Sequence, residues 1–340
     1  MKMRMVLLGW LLSFTPVFAA PAVVKVGLPL HTPGPSQPRY EVVEVAPVPF
    51  YSYGLALNDT GQVGGGLPVD DEGTYLGFIW QRGQLTLLPT GPVSDINSAG
   101  THVPGGFYPA VMGPFVNLIA VNNAGQAFGL YGNAPVLATS NGWTELATFG
   151  TRSFPSALNN FGVGVGSVEV APQLEHATVF TTSNAFDIHP EGASWSRGAG
   201  INDRGHIALS ALFRDTRGLG VRAYLLRGVG TNDLGALPGL RHTFVRSMNN
   251  ADQVVGMSYN SDTNGYNLSG FTGFLYSGGR LYNLDRLLVG GPWHILEACD
   301  INENGWIVAK AAYAGTYKGA VLLRRGHSVS RGERPSLMRR

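Results

Sequence analysis

The sequence predicts an all-β propeller, and three observations carry that expectation. A short phrase recurs seven times: an apolar residue, Asn, a few polar or small residues, then Gly. Its Asn residues stand at positions 58, 97, 122, 159, 202, 249 and 302, separated by 39, 25, 37, 43, 47 and 53 residues. The mean spacing of about 41 matches the roughly 40–45 residues of a four-stranded blade. Charged residues are only 14% of the chain while Gly numbers 47 in 340, a composition suited to tightly turned strands rather than to helices or disorder.

The N-terminus reads as an export signal. Lys2 and Arg4 precede an apolar run from Met5 to Val17, and Val17-Phe18-Ala19 places small residues where a signal peptidase cuts. The run falls short of the roughly 20 residues a bilayer span needs. Residues 1–19 are therefore expected to be cleaved, leaving a secreted, extracellular or periplasmic protein. Residues 20–39 form a Pro-rich segment, and Tyr40-Glu-Val-Val-Glu-Val45 is the first expected strand.

Each repeat then has one grammar. A short apolar strand such as Tyr53–Leu57 ends at the Asn turn, and a second strand such as Gln253–Met257 leaves it. The third strand carries aromatic and aliphatic residues, as in Leu76–Trp80, His176–Phe180, Ala223–Leu226 and Gly273–Tyr276. A Gly turn leads to a fourth, seen in Leu85–Leu88, Trp143–Leu146 and Leu281–Leu284. Seven four-stranded blades are expected. The 25 residues between Asn97 and Asn122 are the weak point, and a ring of six full blades with an irregular joint is the alternative.

The last unit supplies Trp306–Lys310 and Gly319–Leu323 after its turn but lacks a fourth strand. The strand at Tyr40–Val45 fills that place, hiding two open sheet edges and closing the ring. The propeller spans 40–323. The tail, 324–340, holds six Arg and one Glu and is expected to be disordered.

The turn residues are Asn58 and Gly61, Asn97 and Gly100, Asn122 and Gly125, Asn159 and Gly162, Asn202 and Gly205, Asn249 (with Asp252 in the Gly place), and Asn302 and Gly305. Asn bonds nearby backbone and Gly tolerates positive φ, so the phrase is hairpin chemistry and its role is structural. Asn58-Asp-Thr-Gly-Gln-Val-Gly-Gly65, His176-Ala177 with Phe180, and Asp233-Leu234-Gly235 resemble the phrases of the extracellular bacterial repeat family named for its His-Ala-Phe triplet, the HAF repeats. The resemblance covers about Tyr40 to Leu323. It implies a secreted propeller-like protein and transfers no catalytic residue.

Chemistry is sparse. With 24 basic and 22 acidic residues, and the basic excess placed in the signal and the tail, the body is unsuited to nucleic acid. The eight His show no metal-ligand spacing, and no nucleophile elbow or phosphate loop is present. Asp300-Ile-Asn302-Glu-Asn304-Gly305 copies the opening of a Ca²⁺ loop, but the twelfth position is Ala311 in place of Glu. Asp300, Asn302 and Asn304 are thus a weak Ca²⁺ candidate, and no cofactor is expected. The single Cys299 excludes an internal disulfide and reads as a buried thiol. Asp70, Asp71 and Glu72 form an acidic turn.

Tyr259 and Tyr266, before and within the loop 261–269, are the candidate binding residues, since aromatic side chains on loops stack on sugars or partner side chains. The expected function is a non-catalytic binding or scaffolding module for an extracellular glycan or protein. The alternative is a glycan hydrolase or lyase with carboxylates in the channel. Close acidic groups with Arg in the channel favour the enzyme, and a lining of small residues such as Ala56, Ala157 and Ala199 favours the binder.

Overall fold

The computed structural model describes residues 38–326 apart from 50–54, 71–73, 104–115, 216–217, 229 and 261–269. The signal segment, most of the Pro-rich segment, Asp71, Glu72, Tyr266 and the tail beyond Gly326 lie outside the described residues. Among the described residues no helix is long and apolar enough to cross a membrane.

The chain is a β-propeller. Its first four-stranded antiparallel sheet is β2 (Ala56–Leu57), β3 (Val63–Pro68), β4 (Tyr75–Gln81) and β5 (Gln84–Leu88). A two-stranded sheet of β6 (Asp95–Ile96) and β7 (His102–Val103) follows. Four more blades are β8 to β11 (Val116–Val121, Ala127–Tyr131, Ala134–Thr139, Gly142–Glu145), β12 to β15 (Arg152–Leu158, Gly164–Ala171, Leu174–Phe180, Ala185–Asp187), β16 to β19 (Trp195–Ile201, Ile207–Asp215, Gly218–Arg227, Gly230–Asp233) and β20 to β23 (His242–Met248, Val254–Tyr259, Phe271–Ser277, Arg280–Asn283). The closing blade joins β24 (Trp293–Ile301), β25 (Ile307–Tyr313) and β26 (Thr316–Arg325) to β1 (Tyr40–Ala46), in the order β1-β26-β25-β24.

Of the two expected rings, the one with six four-stranded blades and an irregular joint is found among the described residues, in place of seven full blades. The remaining Asn turn, Asn97, joins only β6 and β7 among the described residues. Val116–Ile119, which lies between Asn97 and Asn122, belongs to the inner strand of the next blade. The closing strand is found where expected, with Val42 opposite Leu323 and Val43 opposite Leu322. Arg324 and Arg325, assigned to the tail, end β26 opposite Glu41 and Tyr40.

Packing between blades forms the core. Phe78, Phe128, Phe180 and Phe274 are fully buried on second or third strands. Phe128 of one blade meets Phe180 of the next at 5.6 Å between ring centres. Phe274 packs on Ala223, Leu225 and Val245 of the preceding and same blades, while Phe78 and Trp80 pack on Val308 and Leu322 across the closure. Each such ring contributes about 1.5–3 kcal/mol by burial. The inner strands β2, β6, β8, β12, β16, β20 and β24 touch one another in cyclic order, β24 meeting β2.

Candidate functional site

The inner strands surround a central channel, and the Asn turns frame one mouth of it. Each Asn side chain accepts, through Oδ1, the N–H of the residue four positions on, at 2.9–3.1 Å. Gly stands three positions on at φ between +71° and +85° in six repeats, so the turn is a type I turn closed by a left-handed residue. The amide Nδ2 reaches the next repeat, and in Asn58, Asn122 and Asn249 it also donates to the Gln four positions on at 2.7–2.8 Å. Asn58 donates to the carbonyl of Asn97, Asn97 to Asn122, Asn122 to Asn159, Asn159 to Asn202, Asn202 to Asn249, Asn249 to Asn302, and Asn302 back to Asn58, at 2.8–3.4 Å. All seven side chains are buried. A buried amide left without partners is costly, so this closed ring fixes the angular position of every repeat.

A second chain of bonds lies over the first. The backbone N–H of Ser98, Asn123, Asn160, Asp203, Asn250 and Glu303 each donates to the side chain of the corresponding residue in the next repeat, and Ser98 Oγ donates to Asp59 Oδ2. Asp59, Asp203 and Glu303 make this mouth acidic. Glu303 is pushed up by burial and by Asp59 and Asp203. Asp203 is held low: burial opposes it, but bonds from Asn160 and Asn250 outweigh burial.

Asp252 departs from the repeat. It holds φ +57°, where six repeats have Gly, and its carboxylate collects four donors. Arg227 Nε lies at 2.7 Å, Asn202 Nδ2 at 2.8 Å, and His206 Nδ1 and Arg204 Nη2 at 2.9 Å. Strain at one residue is offset by an ion network joining two blades.

The channel has a volume of about 520 Å³. The residue three before each Asn lines it: Leu55, Ser94, Ile119, Ser156, Ala199, Arg246 and Cys299. In five repeats that residue is a β-bulge, skipped by the register of inner and second strands. A bulge re-aims a side chain, here towards the lumen. Gly129, Gly166 and Gly256, each seven after an Asn, make room for it. A Cβ there would stand 2.0–2.1 Å from the carbonyl oxygen of Asn117, Phe154 or Phe244.

Asp95 and Asp300 stand one step closer to the Asn ring, each two residues before an Asn. Asp95 accepts from the N–H groups of Ile96 and Val121 at 2.8 Å. Asp300 accepts from Ile301 N and Leu57 N at 2.8 Å and from Ser247 Oγ at 2.6 Å. Each carboxylate thus ties its strand to the next. Burial, with the Asp300 charge, pushes Asp95 up to about 7; burial also raises Asp300. Asp95 therefore keeps a proton to near neutral pH.

Two arginines complete the lining. Arg246 Nε donates to Glu297 Oε1 at 2.5 Å, and Lys310 Nζ lies 3.3 Å from Glu297 Oε2. Burial works against the Glu297 charge, but the two cations outweigh it and hold the carboxyl low. Arg197 Nη2 donates to Glu175 Oε2 at 3.0 Å. Cys299 is half-buried rather than sealed in the core, and burial with the nearby Glu297 charge pushes its thiol up to about 12.

The remaining expected site residues fall as follows. Asp300, Asn302 and Asn304 do not converge: Asn302 Nδ2 donates to Asn58 O and Asn304 Nδ2 to Asp59 O, while Asp300 turns to Leu57 and Ser247. No group of three or more His, Cys, Asp or Glu placed to hold a metal occurs among the described residues. Tyr259 is stacked between His242 (4.7 Å) and Phe271 (5.5 Å) within its sheet and does not itself line the channel. Asp70 accepts from Thr74 N and caps its turn. Ala157 and Ala199 line the channel, and so do Asp95, Asp300, Arg197 and Arg246, so both expected kinds of lining occur together. The four charged residues were missed as a set. Their signal is positional: the tripeptide Asp-Ile-Asn at 95–97 and 300–302, and Arg246 at a fixed offset from Asn249.

No family model and no curated protein matches the sequence. Among solved structures, the chain is similar to the β-propeller domain of the Trilobed protease from Pyrococcus furiosus, described as having an open velcro topology. The identity is 10% and the TM-score 0.42, over 81% of this chain and 83% of that one. It is also similar to the acylaminoacyl peptidase of Pyrococcus horikoshii, at 13% identity and a TM-score of 0.39, over 77% of this chain and 42% of that one. The β-propeller architecture of this chain rests on its own strand order.

Proposed function

We propose that this protein is a secreted or envelope-associated binding module that takes its ligand in the central channel. The observation that carries the reading is the contrast between frame and lining. Position Asn is the same in all seven repeats and is consumed in holding the ring, whereas the position three residues earlier carries six residue types and faces the lumen. A rigid scaffold with a varied concave lining is the usual form of a preorganised site. The glycan-cleaving alternative draws on Asp95, whose retained proton suits a general acid. Its carboxylate and that of Asp300 are each occupied by backbone donors of a neighbouring strand, which supports a stitching role instead.

The test is thermal unfolding of the full chain against neutral and acidic oligosaccharides and peptides, in parallel with Ala199→Phe, which fills the lumen. A ligand at about a hundred times its Kd adds roughly 2.7 kcal/mol, and for a chain this size that raises Tm by a few degrees. The shift is expected in the natural chain and absent in Ala199→Phe. An equal shift in both places the ligand elsewhere. Shortening of any oligosaccharide, abolished by Asp95→Asn, restores the enzyme reading.

A further inference from the structure

The lining of the channel is electrically lopsided, and this deepens the binding reading on which it rests. Arg197 and Arg246 come from adjacent inner strands, β16 and β20, and both line the lumen. Neither forms an ion pair with the channel carboxylates Asp95 and Asp300 among the described residues. Each is instead pinned from behind. Arg246 is fixed through Nε by Glu297, with its Cζ 5.0 Å from the centre of the Phe244 ring. Glu297 also serves Lys310, so one carboxylate faces two cations and the cluster keeps a positive charge. Arg197 is fixed by Glu175 and by Ser167 Oγ at 3.4 Å, with its Cζ 5.5 Å from the Phe154 ring.

A guanidinium carries five N–H donors in a planar fork suited to two parallel bonds with an oxyanion. The described bonds use only part of each fork, and the two side chains remain 36% and 41% exposed although they stand inside the ring. Phe244 also lines the lumen and stacks on Trp195 at 6.1 Å, giving an apolar face beside the charges. We propose that Arg197 and Arg246 form an oxyanion subsite, binding the carboxylate or sulfate of an acidic sugar whose ring lies against Phe244.

The experiment is isothermal titration of the full chain with four probes: a uronic-acid trisaccharide, its fully methyl-esterified form, a sulfated neutral trisaccharide, and inorganic phosphate. The ester has the same rings without the charge. The acid or the sulfated sugar is expected to bind at least tenfold more tightly than the ester, and which of the two does so identifies the oxyanion. Arg197→Gln and Arg246→Gln should each weaken that probe at least tenfold and leave the ester unchanged. Since Arg246→Gln leaves Glu297 with one cation, Arg197→Gln, whose partner Glu175 is 19% exposed, and Arg246→Lys serve if it fails to fold. Equal affinity for acid, sulfated sugar and ester overturns the subsite, as does phosphate binding alone or binding unmoved by all the Arg variants. If Ala199→Phe abolishes binding while the Arg variants do not, only the subsite falls. If binding survives Ala199→Phe, the channel reading falls with it.

Discussion

Asp252 is the residue where the repeat is broken and the break can be measured. Burial opposes its charge, but the bonds from His206 and Arg227 outweigh burial and hold its carboxyl below the usual range. A depressed carboxyl contributes stability above its unfolded pKa of about 3.9, and that contribution is lost as pH falls through the lower folded value. Asp252→Gly relieves the left-handed strain and removes the network. The variant should be about 1–2 kcal/mol less stable at pH 7 by denaturant unfolding, since charged hydrogen bonds exceed the strain. It should also lose less stability than the natural chain between pH 4 and pH 2. Asp95 carries the opposite sign. Its folded pKa of about 7 means that the native state keeps a proton the unfolded chain has lost, so stability falls as pH rises from about 4 to about 7. Asp95→Asn should flatten that slope by about 1–3 kcal/mol, because each pH unit between the unfolded and folded values is worth at most about 1.4 kcal/mol. A slope unchanged in urea titrations at pH 5 and pH 7.5 would place the perturbation on another group.

At the scale of the element, the bulge decides what the channel presents. Gly256 lets β20 bulge at Arg246, because a Cβ there would meet Phe244 O at 2.0 Å. Gly256→Ala forces the inner strand to move, with an expected loss of about 1–3 kcal/mol, and turns Arg246 out of position. Circular dichroism melting should show the first effect and titration with the acidic trisaccharide the second. The strands themselves were legible in the sequence, because their apolar cores and Gly turns are local: Leu76–Trp80 and Gly273–Tyr276 lie inside β4 and β22. The bulges were not. Nothing local marks Arg246 as skipped by the register, and the Gly seven residues after Asn249 takes its meaning only from the opposed strand. For the same reason Asp300-Ile-Asn302-Glu-Asn304 copied the opening of a Ca²⁺ loop and stood as a weak candidate. Neighbours in sequence look like neighbours in space until the topology sends Asp300 to Leu57 and Asn302 to Asn58.

In the whole molecule, the phrase that revealed the turns also holds the ring, but only its local half was readable. Oδ1 of each Asn acts within four residues, whereas Nδ2, which in three repeats also donates to the Gln four positions on, reaches across 25 to 53 residues, and across 244 at the closure. Seven repeats are thereby held in one circle even though six carry four strands among the described residues, because the circle is closed at the innermost turns and not at the blade edges. The strand borrowed by the last blade and the Asn302–Asn58 bond fasten the same seam. The most direct measurement of this closure is hydrogen–deuterium exchange of the full chain, read peptide by peptide. The seam strands β1 and β26 should be protected to the same degree as β17 in the middle of the chain, and Asn302→Ala should accelerate exchange in both seam strands together. Seam strands that exchange orders of magnitude faster than β17 in the natural chain would contradict it: the repeats would then form an open array, without a closed channel to bind anything.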